Sequence, residues 1–369
     1  MHLSLIVPAP FDTVSGGYGY DRRIVAEVRA AGHAVDVVEL TGAFPLTDEA
    51  ARDSACAAWD RLSLDTRPVI DGLALPAFQG MEDALTARGA MGLIHHPVSL
   101  ETGLHEADRA RLEQIEQRLF PRLYRLIVTS AMTADMLATR FHIPPGRIRT
   151  VTPGTDDAPR AQGSGGQGTN GQGTSGQGTS GQGTSGQGSG GAACEVLSIG
   201  TLIPRKGHDL LLRALARLFD LNWHLTIVGS AERDPPHAHG LMALAGELDV
   251  ARRVTFAGEL EGEALEAAWH GADLFALATQ YEGYGMVIAE ALKRGLPAIV
   301  TNGGAAGHLI TPESGCVCPV GDRDQLSKSL RRLIFGVELR QEMAKAAWLA
   351  GQTLPSWHAR AALFVEALA

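Results

Sequence analysis

Three observations predict an α/β protein built from two doubly wound domains that face each other across a cleft. Short apolar, β-branched runs alternate with amphipathic stretches through residues 3–152. A polar repeat then breaks the pattern, and the same alternation resumes from residue 195 to the end. Strands separated by helices imply parallel sheets with crossover helices on both faces. At 369 residues the chain exceeds one ordinary core, and two domains of roughly 150 residues are the natural expectation. The expected divisions are 1–160, a linker over 161–192, a second domain over 193–355, and a last helix over 356–369 that returns to the first domain.

In order, LSLIVPA (3–9) is the first strand, followed by the glycine-rich turn SGGYGY and an amphipathic helix from Asp21 to Ala31. Ile24, Val25 and Val28 share one face of that helix. Gly32 ends it as a C-cap, and HAVDVVEL (33–40) is the next strand. Further strands are expected at 68–75, 91–95, 125–129 and 148–152, with helices near 104–119 and 131–141. Residues 162–191 repeat Gly-Gln-Gly-Thr-Ser without one apolar side chain. Such a segment has nothing to bury against its ordering entropy and reads as a tether. Beyond it, strands are expected at 195–200, 223–229, 253–257, 273–278, 297–301 and 316–320. Helices are expected near 207–220, 237–248, 261–270, 285–295, 323–335, 338–351 and 356–368. Ligands in such folds sit at the carboxyl ends of the strands, so the cleft is the expected site.

A net charge of −9 argues against a nucleic-acid partner, although a local basic site for a small anion remains compatible with it. The first residues read as a strand and not as a signal peptide, and no apolar run is long enough to span a membrane. Peripheral membrane contact is left open. Four scattered cysteines (Cys56, Cys194, Cys316, Cys318) fit no disulfide framework or metal set, which points to a cytoplasmic protein.

The densest chemistry lies in ATQYEGYGMVIAEALKRGLPAIVT (278–301). A strand ends in a loop, Gly283 and Gly285 allow a tight turn, and a helix starts near Gly285. Its first amides, around Gly285, Met286 and Val287 with Tyr284 beside them, suit a diphosphate. Glu282 precedes the helix and Glu290 lies five residues into it, about 7.5 Å along the axis. A nucleotide-sugar presents sugar, diphosphate and ribose in that order, so one carboxylate can meet sugar hydroxyls and the other ribose hydroxyls. The second segment is SIGTLIPRKGHDLLLRAL (198–215). It sets Arg205 and Lys206 on a strand-to-helix loop where they can neutralise phosphate. Gly16 and Gly17, after strand one, would let backbone approach the donor, although G-Y-G-Y-D-R lacks the third glycine of a dinucleotide fingerprint. In LIHHPVSLETG (93–103), His95 and His96 end a strand at the cleft edge.

E-G-Y-G with a second glutamate after seven residues, then A-x-x-x-G-x-P, resembles the E-x7-E signature of the retaining glycosyltransferase family 4. The similarity covers nearly the whole chain except the repeat. It implies the GT-B fold, two Rossmann-like domains with the active site between them. It also implies a nucleotide diphosphate-sugar donor, an unidentified acceptor, retention of anomeric configuration, and no metal or other cofactor. By the same resemblance Glu282 contacts the donor sugar, Glu290 the ribose, Lys206 the diphosphate, and His96 the transferred sugar, with His95 equally able to pack inward. The family's phosphate-binding Arg is replaced by Thr201. Either Arg205 substitutes for it or the clamp is weaker. TNGGAAG (301–307) resembles the family's glycine turn near the diphosphate, with Gly307 where a Glu usually stands. The rival readings are a GT-B epimerase or phosphorylase, and a degenerate nucleotide-sugar-binding protein without turnover. Asp322-Arg323-Asp324 spells D-x-D, but it opens a helix where Asp322 and Gln325 form a capping box.

Overall fold

The computed structural model describes residues 1–101, 103–164 and 192–369. Most of the repeat read as a tether, residues 165–191, lies outside the described residues. Six parallel strands make the first sheet: β1 (His2–Pro8), β2 (Ala34–Leu40), β3 (Arg67–Asp71), β4 (Met91–Ile94), β5 (Arg125–Val128) and β6 (Ile148–Thr150), in the order β2-β1-β3-β4-β5-β6. Six more make the second: β7 (Cys194–Ile199), β8 (Trp223–Val228), β9 (Val254–Gly258), β10 (Leu274–Leu277), β11 (Ala298–Thr301) and β12 (Gly315–Cys318). Their order is β12-β11-β10-β7-β8-β9. β4, β10 and β11 are buried along their whole length, as strands covered on both faces by helices must be.

The strand orders place the site. In a doubly wound sheet the crevice opens where the order reverses, because the loops leaving the two strands there diverge to opposite faces. The reversal falls between β1 and β3 in the first sheet and between β7 and β10 in the second. Loops after β7 and β10 therefore meet although some 75 residues separate them in sequence.

The helices differ from the sequence reading at the start of the first one and at two that were not expected, one of them the short helix Glu82–Ala87. The expected glycine turn over residues 15–20 is instead the first turn of helix α1 (Gly16–Ala30), whose N-cap Ser15 accepts the Tyr18 amide. The buried Tyr18 and Tyr20 supply the packing that offsets the glycines' poor propensity. A helix α2 (Glu49–Arg61) stands where none was expected, its Ala51, Ala55, Ala58 and Trp59 forming one buried stripe. The other helices of the first half are α3 (Glu82–Ala87), α4 (Glu106–Leu119) and α5 (Ala131–Arg140). In the second half α6 (His208–Leu215), α7 (Pro235–Glu247), α8 (Gly262–Gly271), α9 (Met286–Lys293), α10 (Arg323–Phe335) and α11 (Val337–Gln352) surround the second sheet. The last helix, α12 (Trp357–Ala367), lies on α1: Trp357, Phe364 and Leu368 share a buried cluster with Tyr20, Ile24 and Val28. Ahead of the repeat, the Ala161 amide donates to the Arg294 carbonyl and the Gln162 amide to that of His270, so this part of the chain rests on the second domain. All four cysteines are free thiols.

Candidate active site

The loop from β10 into α9 is built around glycine. Gly285, at φ +94°, caps α9 in a left-handed conformation that a side chain resists, and its carbonyl takes the Ile288 amide at 2.9 Å. The first two amides of α9, on Met286 and Val287, donate to nothing among the described residues and stay available to an anion. Their side chains serve packing: Met286 joins the first domain's core, and Val287 joins the second's. Tyr284 is half-buried beside them.

Glu282 is held from every side. Its backbone bridges Gly304, its amide donates to the Gly303 carbonyl at 3.1 Å, and its carbonyl accepts the Ala305 amide at 2.8 Å. A Cβ at Gly304 would collide with the Glu282 carbonyl. The 301–307 glycine turn thus buttresses Glu282. Oε1 accepts from Lys206 Nζ at 2.6 Å and Thr279 Oγ1 at 3.2 Å, with Arg205 Nη1 at 3.5 Å. Burial alone would raise this carboxyl, but Lys206 and Arg205 outweigh burial and hold it below the usual carboxylate range.

Glu290, two turns along, is treated oppositely. No side chain among the described residues hydrogen-bonds its carboxylate. Nearby Arg294 is paired to Glu266 instead. Burial pushes the Glu290 carboxyl up to about 7, opposed by Arg294 and reinforced by Asp156 and Glu266.

The first domain contributes the opposite wall. Gly17 lies against the His95 ring, where a Cβ would stand 3.3 Å from it; Gly16, one residue earlier, opens α1 with free space around it. His95 Nε2 faces two buried carboxylates, Asp21 Oδ1 at 3.0 Å and Asp71 Oδ2 at 3.5 Å. Burial raises Asp71 to about 7 with help from Asp21, while His95 opposes the rise. For His95, burial works downward, yet the two carboxylates prevail and its imidazole sits above its ordinary range. The three side chains bring their ligand atoms within 4.8 Å of one another. The domains touch closely here: a Cβ on Gly283 would stand 2.7 Å from the His95 carbonyl oxygen.

His96 points elsewhere. Its Nε2 bonds Glu101 Oε2 at 2.9 Å, and its ring lies 5.7 Å from that of Tyr281. Glu101 Oε1 accepts from Arg205 Nε at 3.0 Å, and Arg205 Nη1 donates to the Tyr281 carbonyl at 2.7 Å. Glu282, Lys206, Arg205 and His96 therefore stand in one connected cluster, with Gly283 and Gly285 in its backbone and Gly17 at its edge. Glu290 lies apart from it along α9. Asp21, Asp71 and Glu101 were missed by sequence reasoning. The available signals were a carboxylate closing an apolar strand (VID, 69–71), an acid on the buried face of α1, and a glutamate five residues beyond His96.

Comparison with known proteins gives this arrangement a family context. Residues 191–348 match the family model of the group 1 glycosyl transferases. D-inositol 3-phosphate glycosyltransferase of Mycolicibacterium gilvum is 32% identical over 219 residues, covering 58% of this chain and 42% of that protein. A GDP-mannose-dependent monoacylated α-(1-6)-phosphatidylinositol monomannoside mannosyltransferase of Corynebacterium glutamicum is 33% identical over 154 residues, 39% of each. The aligned part spans about two fifths of these curated relatives. Among solved structures, sucrose-phosphate synthase of Thermosynechococcus elongatus superposes with a TM-score of 0.77 at 19% identity, covering 99% of this chain and 97% of that one. Anabaena HepE in complex with UDP and glucose gives 0.72 at 15% identity and 99% of both chains. The two six-stranded sheets are those of the GT-B fold.

Proposed function

We propose, from the match of residues 191–348 to the group 1 glycosyl transferases and from the GT-B fold of the two sheets, that this protein transfers a sugar from a nucleotide diphosphate donor to an acceptor hydroxyl, with retention of anomeric configuration. The observation that carries the reading is the linear order along one loop and helix. It runs from Glu282, pinned by Lys206, through the free amides of α9, to the unpartnered Glu290. That order is the order of sugar, diphosphate and ribose. Nucleotide-sugar use is supported by the UDP and glucose of the HepE complex and by the GDP-mannose dependence of the Corynebacterium relative.

On this reading Glu282 accepts hydrogen bonds from the donor sugar, and Glu290 from the ribose, each charge-assisted. As the glycosidic bond breaks, negative charge grows on the diphosphate. On this reading Lys206, Arg205 and the free Met286 and Val287 amides stabilise that charge. The departing phosphate oxygen takes the acceptor proton, and no protein nucleophile is invoked. His96 bounds the sugar from the first domain. Catalysis is then positioning plus electrostatics, with cationic side chains and amides meeting the charge on the leaving group. The free cysteines suit a reducing, cytoplasmic setting, and among the described residues no helix is long and apolar enough to cross a membrane.

A thermal-shift panel of UDP-, GDP- and ADP-sugars tests the donor class. A true donor at a hundred times its Kd should add about 2.7 kcal/mol of stability. Release of nucleoside diphosphate only when an acceptor is supplied then identifies transfer. If no nucleotide stabilises the protein, the reading fails.

A further inference from the structure

Glu101 binds one residue of each cleft wall at once. Oε2 accepts from His96 Nε2 at 2.9 Å and Oε1 from Arg205 Nε at 3.0 Å. His96 follows β4 of the first sheet, and Arg205 follows β7 of the second, 104 residues away from Glu101. The segment that delivers Glu101 is itself anchored. It follows a short 3-10 turn, Val98–Leu100, whose Val98 and Ser99 amides donate to the carboxylate of Glu116 at 2.6 and 3.4 Å. Glu116 lies on α4 and is 2% exposed. The loop before Glu101 is thus bolted to the first domain's core.

We propose that Glu101 is a positioning residue that sets both the proton arrangement of His96 and the angle of the Arg205 guanidinium, making the two walls of the cleft one unit. The inference rests on the donor reading above. A carboxylate that is ionised can only accept, so His96 Nε2 must carry a hydrogen, and in the neutral imidazole Nδ1 then keeps its lone pair. Nδ1 has no partner among the described residues and is free to accept from a substrate hydroxyl. On Arg205, Glu101 holds Nε, and the Tyr281 carbonyl holds Nη1. Nη2 is left without a hydrogen bond among the described residues. Burial pushes the Glu101 carboxyl up, but His96 and Arg205 dominate and bring it down to about 2, so both pairings persist across the working pH range.

A fixed negative charge beside a diphosphate site repels the ligand it helps to place. That opposition gives a signature no mere strut would produce. Removing the charge should leave nucleotide affinity intact or higher while turnover falls. The test uses the full chain with Glu101→Gln and Glu101→Asp. Calorimetry with UDP and with GDP reads affinity, turnover of UDP-glucose and GDP-mannose reads catalysis, and 1H–15N NMR of the His96 ring reads its tautomer. Glu101→Gln is expected to bind the nucleotide as tightly as the parent, or up to about tenfold tighter, with kcat down at least about tenfold. Glu101→Asp should recover part of kcat. The parent's His96 should carry its hydrogen on Nε2, and the Gln variant should lose that exclusivity. An Nδ1–H tautomer in the parent, or parallel losses of affinity, kcat and Tm in Glu101→Gln, would overturn the proposal. Should neither UDP nor GDP bind the parent, the donor reading falls, and the His96 tautomer still decides whether Glu101 fixes it.

Discussion

Glu282 and Glu290 stand on one strand-turn-helix unit, and the protein handles them in opposite ways. Glu282 is fixed through one oxygen: Oε1 meets two cations and a threonine hydroxyl, a glycine turn holds its backbone, and its carboxyl lies below the usual range. Glu290 has no side-chain partner, and burial lifts it to about 7. A half-buried carboxylate without side-chain partners loses part of its solvation, and such a cost marks a position waiting for a ligand's donors. One pinned through a single oxygen marks a position whose geometry must already be set. On the proposed reading the first waits for ribose hydroxyls, and the second already faces the reacting sugar.

Exchanging Glu282 for Gln should break this contrast most severely. Turnover of the donor should fall about a hundredfold or more, since a misplaced reacting carbon costs rate steeply. Nucleoside diphosphate affinity should stay within a few-fold or improve, because Lys206 and Arg205 lose a competing anion. Calorimetry and steady-state kinetics on the same variant separate the two quantities; equal losses in both would show that Glu282 is only a strut for Lys206.

Glu290→Gln should instead weaken nucleoside diphosphate binding by about ten- to a hundredfold, the worth of one charge-assisted hydrogen bond. Its effect on stability has the opposite sign. The folded-state value of about 7 lies above the ordinary 4.5. Stability from the protonated acid is therefore fully present below pH 4.5 and is lost as pH rises through 7. The variant should melt higher than the parent at pH 8, with the difference shrinking toward pH 5. A lower Tm at pH 8 would mean that Glu290 has a partner holding its charge.

Arg205→Ala sharpens the contrast from the phosphate side. Loss of its charge should weaken nucleoside diphosphate by about tenfold and leave the bare nucleoside unchanged. Equal effects on both ligands would mean that Arg205 acts through Glu101 and Tyr281 alone and that the site at Thr201 lacks a substitute.

What the sequence disclosed follows the same division. The second domain's half of the site was legible because each part is contiguous. A strand, a glycine turn and a helix N-terminus occur within a dozen residues, around Glu282 and again around Lys206. The first domain's half is assembled from distant segments: Asp21 on α1, Asp71 closing β3, His95 after β4. No spacing rule links them; only the strand order does. The start of α1 differs from the reading because the glycines of SGGYGY suggest a turn, whereas in the fold a Ser15 cap and the buried tyrosines make it helix. Helix α2 went unnoticed because its buried face is mostly alanine, which adds little apolar signal. The pairing of Glu101 with Arg205 emerges only once both sheets are in place.

The smallest expected effect belongs to a carboxylate that resembles a site and is none. Asp322 begins the D-x-D of residues 322–324, yet its Oδ1 accepts the Gln325 amide at 2.9 Å and caps α10. Asp324 is paired with Arg217 on the surface. Neither belongs to the cluster around Glu282, so Asp322→Ala should leave nucleotide affinity and turnover unchanged. It should cost only the cap, about 1 kcal/mol, which for a domain of this size lowers Tm by roughly 2–4 °C. Replacement by Asn, another good N-cap, should restore the loss, because capping needs an oxygen and not a charge. A metal-dependent loss of turnover in Asp322→Ala would return these acids to the chemistry. It would also mean that a carboxylate's partners in the fold do not, as Glu282 and Glu290 suggest, reveal its task.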